Sequence, residues 1–170
     1  VYVVFGSSYI KGDLVDFLVK NKALNIHMGV SPYYRGNDCN FWALYDDNPH
    51  LVGATIHMLT KGLDSGPMLY HAMSNIKSNP FEYTMSTVKA AFHSIAKRIK
   101  DKSIFEIEPI VQDKSKEVRY SKKIEFTEQV VKNYFTKNII ENIIILIKVD
   151  QYRFCLVLKK LFINLLKFYI

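Results

Sequence analysis

Cysteine is scarce and scattered: Cys39 and Cys155 are the only two in 170 residues, and they lie in dissimilar contexts. That excludes a disulfide framework, no Cys/His spacing fits a zinc site, and a reducing cytoplasm is the compartment expected. No run reaches the ~18 apolar residues of a membrane-spanning helix, no secretory signal is visible, and no internal repeat occurs. Ser7 and Ser8 follow an apolar run, but no Gly-x-Ser-x-Gly elbow surrounds them, which argues against a serine nucleophile. The formal charge of +7 invites a nucleic-acid reading. Residues 139–170, with five cations against two anions, supply +3 of it and the remainder only +4. No basic stripe with interleaved aromatics stands out, so the lysines read as a solvated face. With 49% hydrophobic residues the chain can bury one core, and nothing in it suggests two independent domains.

What is present is more specific. Asn25-Ile26-His27 is followed, well along the chain, by Asp64 within Gly62-Leu63-Asp64-Ser65-Gly66. A carboxamide can donate a hydrogen bond to an oxyanion, an imidazole can exchange a proton near neutral pH, and a carboxylate can fix the imidazole's tautomer. The setting suits a site. Residues 1–5 read as a buried strand, 13–20 as a short helix with Leu14, Phe17 and Leu18 on one face, and 23–27 as a second strand, which makes a βαβ unit. Asn25 and His27, two apart on a strand, share a side near its carboxyl end, where open α/β sheets bind ligands.

Further along, residues 51–59 and 67–76 read as strands flanking the Asp64 loop. Residues 80–100 read as one long helix, with Pro80 near its start and Val88, Ala91, Phe92, Ile95 and Ile99 on its apolar face. A short strand over 104–107, a polar loop to Lys123 and a helix over 128–136 capped by Thr127 complete this part. Trp42 reads as packing, and His57 and His71 as ordinary strand histidines. His50 and His93 have no constellation around them. Residues 139–170 lack Gly, Pro and clear caps, and Lys160, Asn164 and Lys167 leave only a narrow polar stripe. That tail fits a helix covering the sheet, a membrane-surface helix, or a segment never selected to fold, the last being preferred.

Several blocks stand in order from Gly6 to His71: Asn25-Ile26-His27, Ser31-Pro32-Tyr33-Tyr34-Arg35-Gly36, Trp42-Ala43-Leu44, Gly53-Ala54-Thr55-Ile56-His57 and Leu63-Asp64-Ser65-Gly66. Together they resemble the 10-formyltetrahydrofolate-dependent formyltransferases, which include methionyl-tRNA, glycinamide ribonucleotide and nucleotide-sugar enzymes. The resemblance implies an α/β fold: a partial Rossmann-like domain with a mixed sheet over residues 1–123, and a helical or disordered tail over 124–170. It implies a catalytic trio of Asn25, His27 and Asp64. It also implies a pterin site made by Gly6, Ser7, Ser8, Tyr9 and Ile10 with Lys61, Gly62, Leu63, Ser65 and Gly66, and an acceptor site at Tyr34, Arg35 and Gly36.

The expected co-substrate is 10-formyltetrahydrofolate, with no metal. In the implied reaction a neutral amine attacks the formyl carbon, Asn25 and protonated His27 stabilise the oxyanion, and Asp64 steadies the histidine and helps relay the proton. The acceptor expected is a small phosphate-bearing amine such as a nucleotide-linked amino sugar. The methionyl-tRNA enzymes carry an additional RNA-binding barrel, and the sequence after Lys123 lacks the alternating short strands of one. Family members begin with a further βαβ portion, so the chain reads as lacking its amino-terminal part. A methionyl-tRNA formyltransferase is the first alternative and an inactive remnant that at most binds folate the second; a homodimer in which a partner supplies what is missing is a further expectation.

Overall fold

The computed structural model describes residues 1–138. The chain divides into two units, Val1–Glu125 and Phe126–Ile170. In the first, strands β1 (Val3–Phe5), β2 (Leu24–His27), β4 (Gly53–Met58) and β5 (Met68–Met73) form one sheet in the order β1-β2-β4-β5. β1 and β2 run parallel, joined by helix α1 (Asp13–Lys20), whereas β2–β4 and β4–β5 are antiparallel, so the sheet is mixed. A separate parallel pair joins β3 (Tyr34–Gly36) to β6 (Arg119–Ser121). Helix α2 (Cys39–Tyr45) follows β3, and helix α3 (Pro80–Lys100) packs on β4 and β5.

Period-2 alternation sorts the sheet's two faces. Leu24, Ile26, Ala54, Ile56, Leu69 and Ala72 join Ala91, Ile95 and Ile104 in the core beneath α3. Each large side chain so buried contributes roughly 1.5–3 kcal/mol. The alternate residues Asn25, His27, Thr55 and His57 are thereby left for the opposite face. α3 starts where the sequence places it, because Asn79 Oδ1 accepts from the backbone N–H groups of Phe81 (2.9 Å) and Glu82 (3.1 Å), and Pro80 occupies the first turn.

Several expectations change. β1 is an edge strand, and Val3 and Phe5 are about two-fifths exposed rather than buried. α1 has the expected bounds but turns Val15 and Leu18 inward, leaving Leu14 and Phe17 exposed. Leu14, Val15, Phe17, Leu18 and Val19 cover a wide arc opposite Asp13, Asp16 and Lys20, and the neighbouring strand selects which part of that arc is buried. On α3 the buried stripe is Tyr83, Thr87, Ala91 and Ile95, and Phe92 is exposed. Residues Ser103–Phe105 form a 3₁₀ turn that drops Ile104 into the core, where a strand was expected. In the second unit a helix spans 128–138, and the N–H of Val130 donates to Thr127 Oγ1 at 3.3 Å, as the capping argument requires. The readings of the tail fall on residues 139–170, outside the described residues.

Candidate active site

The β2–β4 register builds the site. Asn25 lies directly opposite His57, and His27 opposite Thr55. Thr55 Oγ1 donates to Gly29 O at 2.6 Å and accepts from the Ser31 N–H at 2.9 Å, which holds the turn leaving His27. The β4–β5 register shifts between Ile56 and His57, leaving Leu69 of β5 as the extra residue beside the cluster, a common place for a bulge. The Asp64 turn follows, with Asp64 itself at a left-handed φ of +44°. Its carboxylate is returned across the strands: Oδ2 is 3.2 Å from His27 Nδ1, and Oδ1 accepts from Asn25 Nδ2 at 3.0 Å. The three residues the sequence singled out therefore converge.

His57 joins them, which corrects its reading as an ordinary strand histidine. It is buried, and its Nδ1 lies 2.9 Å from Met58 O, an atom that can only accept, so Nδ1 carries the hydrogen. Nε2 is left with a lone pair, 3.1 Å from Asn25 Nδ2. Both amide hydrogens of Asn25 are thus committed, one to Asp64 and one to His57. The alternation Ala54-Thr55-Ile56-His57 was the available signal, because it places His57 on the same face as Asn25 once the strands pair.

His27 is wedged on both sides. Beyond Asp64 at Nδ1, its Nε2 approaches Cys39 Sγ at 3.6 Å and Tyr34 O at 3.4 Å. Burial pushes the imidazole down, but the hydrogen bond and charge of Asp64, with a contribution from Cys39, more than offset this and raise its pKa to about 10. Burial likewise pushes Asp64 up, and the hydrogen bond and charge of the His27 imidazolium overcome it, holding the carboxyl well below its usual range. The pair is therefore a fixed imidazolium–carboxylate dipole around neutral pH.

The sign of the resulting pH dependence follows. A raised histidine contributes its full stability below its unfolded value near 6.5, and that contribution declines above it and is gone near 10. The depressed Asp64 contributes above about 3.8 and loses it in acid. Urea midpoints of the protein are expected to fall between pH 6.5 and 10, with a His27→Gln variant showing a flatter profile. Parallel profiles would contradict the pairing.

A cavity of about 420 Å³ opens on the cluster. Its walls include Gly6, Ser7, Ser8, Tyr9 and Ile10 on one side and Thr60, Gly62, Leu63 and Asp64 on the other, with Asn25 and His27 between them. Tyr9 OH donates to Lys61 O at 2.7 Å, and Lys61 Nζ meets Asp16 at 2.5 Å, so the two loops are tied together. Lys61, Ser65 and Gly66 support the wall rather than line it. Ser65 Oγ lies 3.2 Å from Thr60 Oγ1, and Gly66 passes so close to Met58 O that no side chain fits.

Of the three residues expected at the acceptor site, Gly36 lines the cavity, together with Asn37 and Asp38. Tyr34 is buried, its hydroxyl donating to Asp46 (3.3 Å) and accepting from Asn48 (2.9 Å). Arg35 donates to Glu117 at 2.9 Å and to Leu63 O at 3.4 Å, bracing the Asp64 turn. Trp42 is buried beneath the guanidinium of Arg119, 3.7 Å from the ring centre. Among the described residues no group of His, Cys, Asp and Glu is placed to hold a metal ion, and no helix is long and apolar enough to cross a membrane.

An amide, an imidazole and a carboxylate thus meet in the wall of a cavity on a mixed α/β sheet. Residues 3–102 match the formyl transferase family, and the chain belongs to that family. Among solved structures it is similar to the formyltransferase PseJ from Anoxybacillus kamchatkensis, solved in complex with UDP-4,6-dideoxy-4-formamido-L-AltNAc and tetrahydrofolate. The two are 27% identical with a TM-score of 0.56, over 72% of this chain and 64% of PseJ. It is also similar in fold to a 4-N formyltransferase from Francisella tularensis (22% identity, TM-score 0.58, 73% of this chain and 50% of that one). A sugar N-formyltransferase from Shewanella sp. is comparable (19%, 0.58, 73% and 50%). The chain thus spans between half and 64% of the length of these proteins.

Proposed function

We propose that the protein transfers a formyl group from 10-formyltetrahydrofolate to the primary amine of a nucleotide-linked amino sugar. The observation that carries this reading is the convergence of Asn25, His27 and Asp64 on the cavity wall. Family membership supplies the formyl chemistry, and the contents of the PseJ complex support the acceptor class. The cavity fits the donor: Phe5, Ile10 and Leu63 offer apolar surface to a flat ring, and the Gly6–Ile10 loop and the 60–64 turn offer backbone polar groups to its edges. When bound there, the folate supplies an activated formyl group on nitrogen.

The roles that fit this geometry best differ from those of a proton-shuttling trio. His27 and Asp64 hold opposite charges through the neutral range, so neither is a good proton carrier there; their contribution is electrostatic. His27 places a positive charge at the wall where negative charge develops on the formyl oxygen. Asp64 maintains that charge and anchors Asn25. With both of its N–H groups engaged, Asn25 has its carbonyl oxygen available as an acceptor for an N–H of the incoming amine, which orients the nitrogen lone pair for attack. As the new C–N bond forms and the bond to the folate nitrogen breaks, the amine's proton passes to that nitrogen.

The reading is tested by single-turnover assays with 10-formyltetrahydrofolate and three acceptors: a UDP-linked 4-amino sugar, a dTDP-linked 3-amino sugar and methionyl-tRNA. Transfer to a nucleotide sugar with none to the tRNA is the expected result. Transfer to the tRNA alone would overturn the acceptor class, and folate binding without transfer to any amine would overturn the enzyme reading.

A further inference from the structure

Asp64 sits in a backbone conformation that side chains rarely adopt, at φ +44°, so something must hold it there. The base of the turn is closed by the Met58 N–H donating to Pro67 O at 2.8 Å, but nearer Asp64 the local bonds are long, Thr60 Oγ1 reaching Gly62 O at 3.4 Å and Ser65 Oγ at 3.2 Å. The firm tether comes from a distant part of the chain. Gln112 Nε2 lies 2.9 Å from Asp64 O and 2.8 Å from Gly66 O, gripping the carbonyls on either side of Ser65. Both partners can only accept, so the gripping atom must be the NH₂ group, and its two hydrogens are matched to two carbonyls.

The rest of Gln112 serves the same end. The residue is buried, and its Oε1 has no hydrogen-bond partner, so every bond its side chain makes goes to this turn. The backbone delivers it there. Ile110 pairs with Met68 through two hydrogen bonds of 2.7 and 2.8 Å, fixing the 110–112 segment against the start of β5, the strand that leaves the turn. Gln112 also lies beyond residues 3–102, the part that carries the family match. A buried amide with one half unsatisfied is unfavourable for stability alone. That points to a purpose in the turn it holds.

We propose that Gln112 is a positioning residue for formyl transfer, holding the Asp64 turn so that the carboxylate stays on Asn25 and His27. The proposal rests on the reading of this cluster as the transfer site. Its structural half, however, is measurable without any reaction. The charged and titratable groups around His27 are Asp64 from the turn, Cys39 from α2 and His57 from β4, the last across Asp64. Of these, the hydrogen bond to the Asp64 carboxylate is the largest single influence keeping the imidazole charged, followed by Cys39.

The test uses Gln112→Met, which keeps the volume and removes both donors, with Gln112→Glu as a second variant that sets a carboxylate against the two carbonyls. The His27 ring is titrated by NMR in each protein, and kcat and KM are measured where transfer occurs. Loosening the turn is expected to lower the His27 midpoint by about one pH unit or more. It is also expected to lower kcat by about tenfold to a hundredfold, with the KM for the formyl donor changed far less. A folded Gln112→Met protein with the unaltered His27 midpoint overturns the proposal, whatever its activity. Absence of transfer in the unsubstituted protein would count against the function reading instead, and the midpoint would still judge Gln112. If neither variant folds, the side-chain amide hydrogens of Gln112 in the unsubstituted protein decide. Slow exchange is expected, and exchange at the rate of an exposed glutamine overturns the assignment.

Discussion

Replacing His27 by Gln or Asp64 by Asn is expected to lower formyl transfer by at least about a hundredfold, the size of effect seen when one preorganised charge or donor is removed from an oxyanion site. The two substitutions remove the same thing by different routes. Without the imidazolium, Asp64 loses the partner at Oδ2. Without the carboxylate, His27 loses the hydrogen bond and charge of Asp64 that oppose its burial, and its pKa falls. The double variant should therefore be little worse than either single one, because both act on one dipole. Single-turnover rates, with circular dichroism to confirm folding, measure this. Independent, multiplying losses would show that His27 and Asp64 act in separate steps, and near-normal rates in either variant would remove the dipole from the mechanism.

Much of this site could be read from the chain because its parts are close in sequence or carried by strong patterns. Asn25 and His27 share a strand, and the Asp64 turn is bracketed by glycines between two apolar strands. α3 announces itself through Pro80 and 21 residues of helical periodicity. What the sequence hid depends on pairing. His57 becomes part of the cluster only when β4 lies antiparallel to β2 in one particular register, since a slip of one residue would turn it into the core. Gln112 is an unremarkable polar residue in a loop until the Met68–Ile110 bridge brings it under the turn. The β3–β6 pair joins segments 85 residues apart (Tyr34 with Arg119), with only three residues in each strand, too short for periodicity to register.

That short pair explains the second large effect expected. Gly36 ends β3 at φ +90°, and a Cβ placed on it would overlap the carbonyl oxygen of Ser121, its partner in β6. The same oxygen accepts from the Asn37 N–H at 2.9 Å, and the Ser121 hydroxyl donates to Asn37 O. A methyl group at Gly36 thus meets rigid backbone that is itself hydrogen-bonded, and adds a left-handed φ for a non-glycine residue. Gly6 provides the comparison, because it has a similar φ of +60° but open space around it. Gly6→Ala is expected to cost only the conformational strain, about 1–2 kcal/mol. Gly36→Ala is expected to cost about 3 kcal/mol or more, a thermal midpoint lower by on the order of ten degrees, and to displace Asn37 and Asp38 from the cavity wall. Calorimetry on the two variants gives the comparison. If Gly36→Ala proved as mild as Gly6→Ala, β3 and β6 would not be locked together in solution, and the wall formed by Gly36, Asn37 and Asp38 would have to be held by something else.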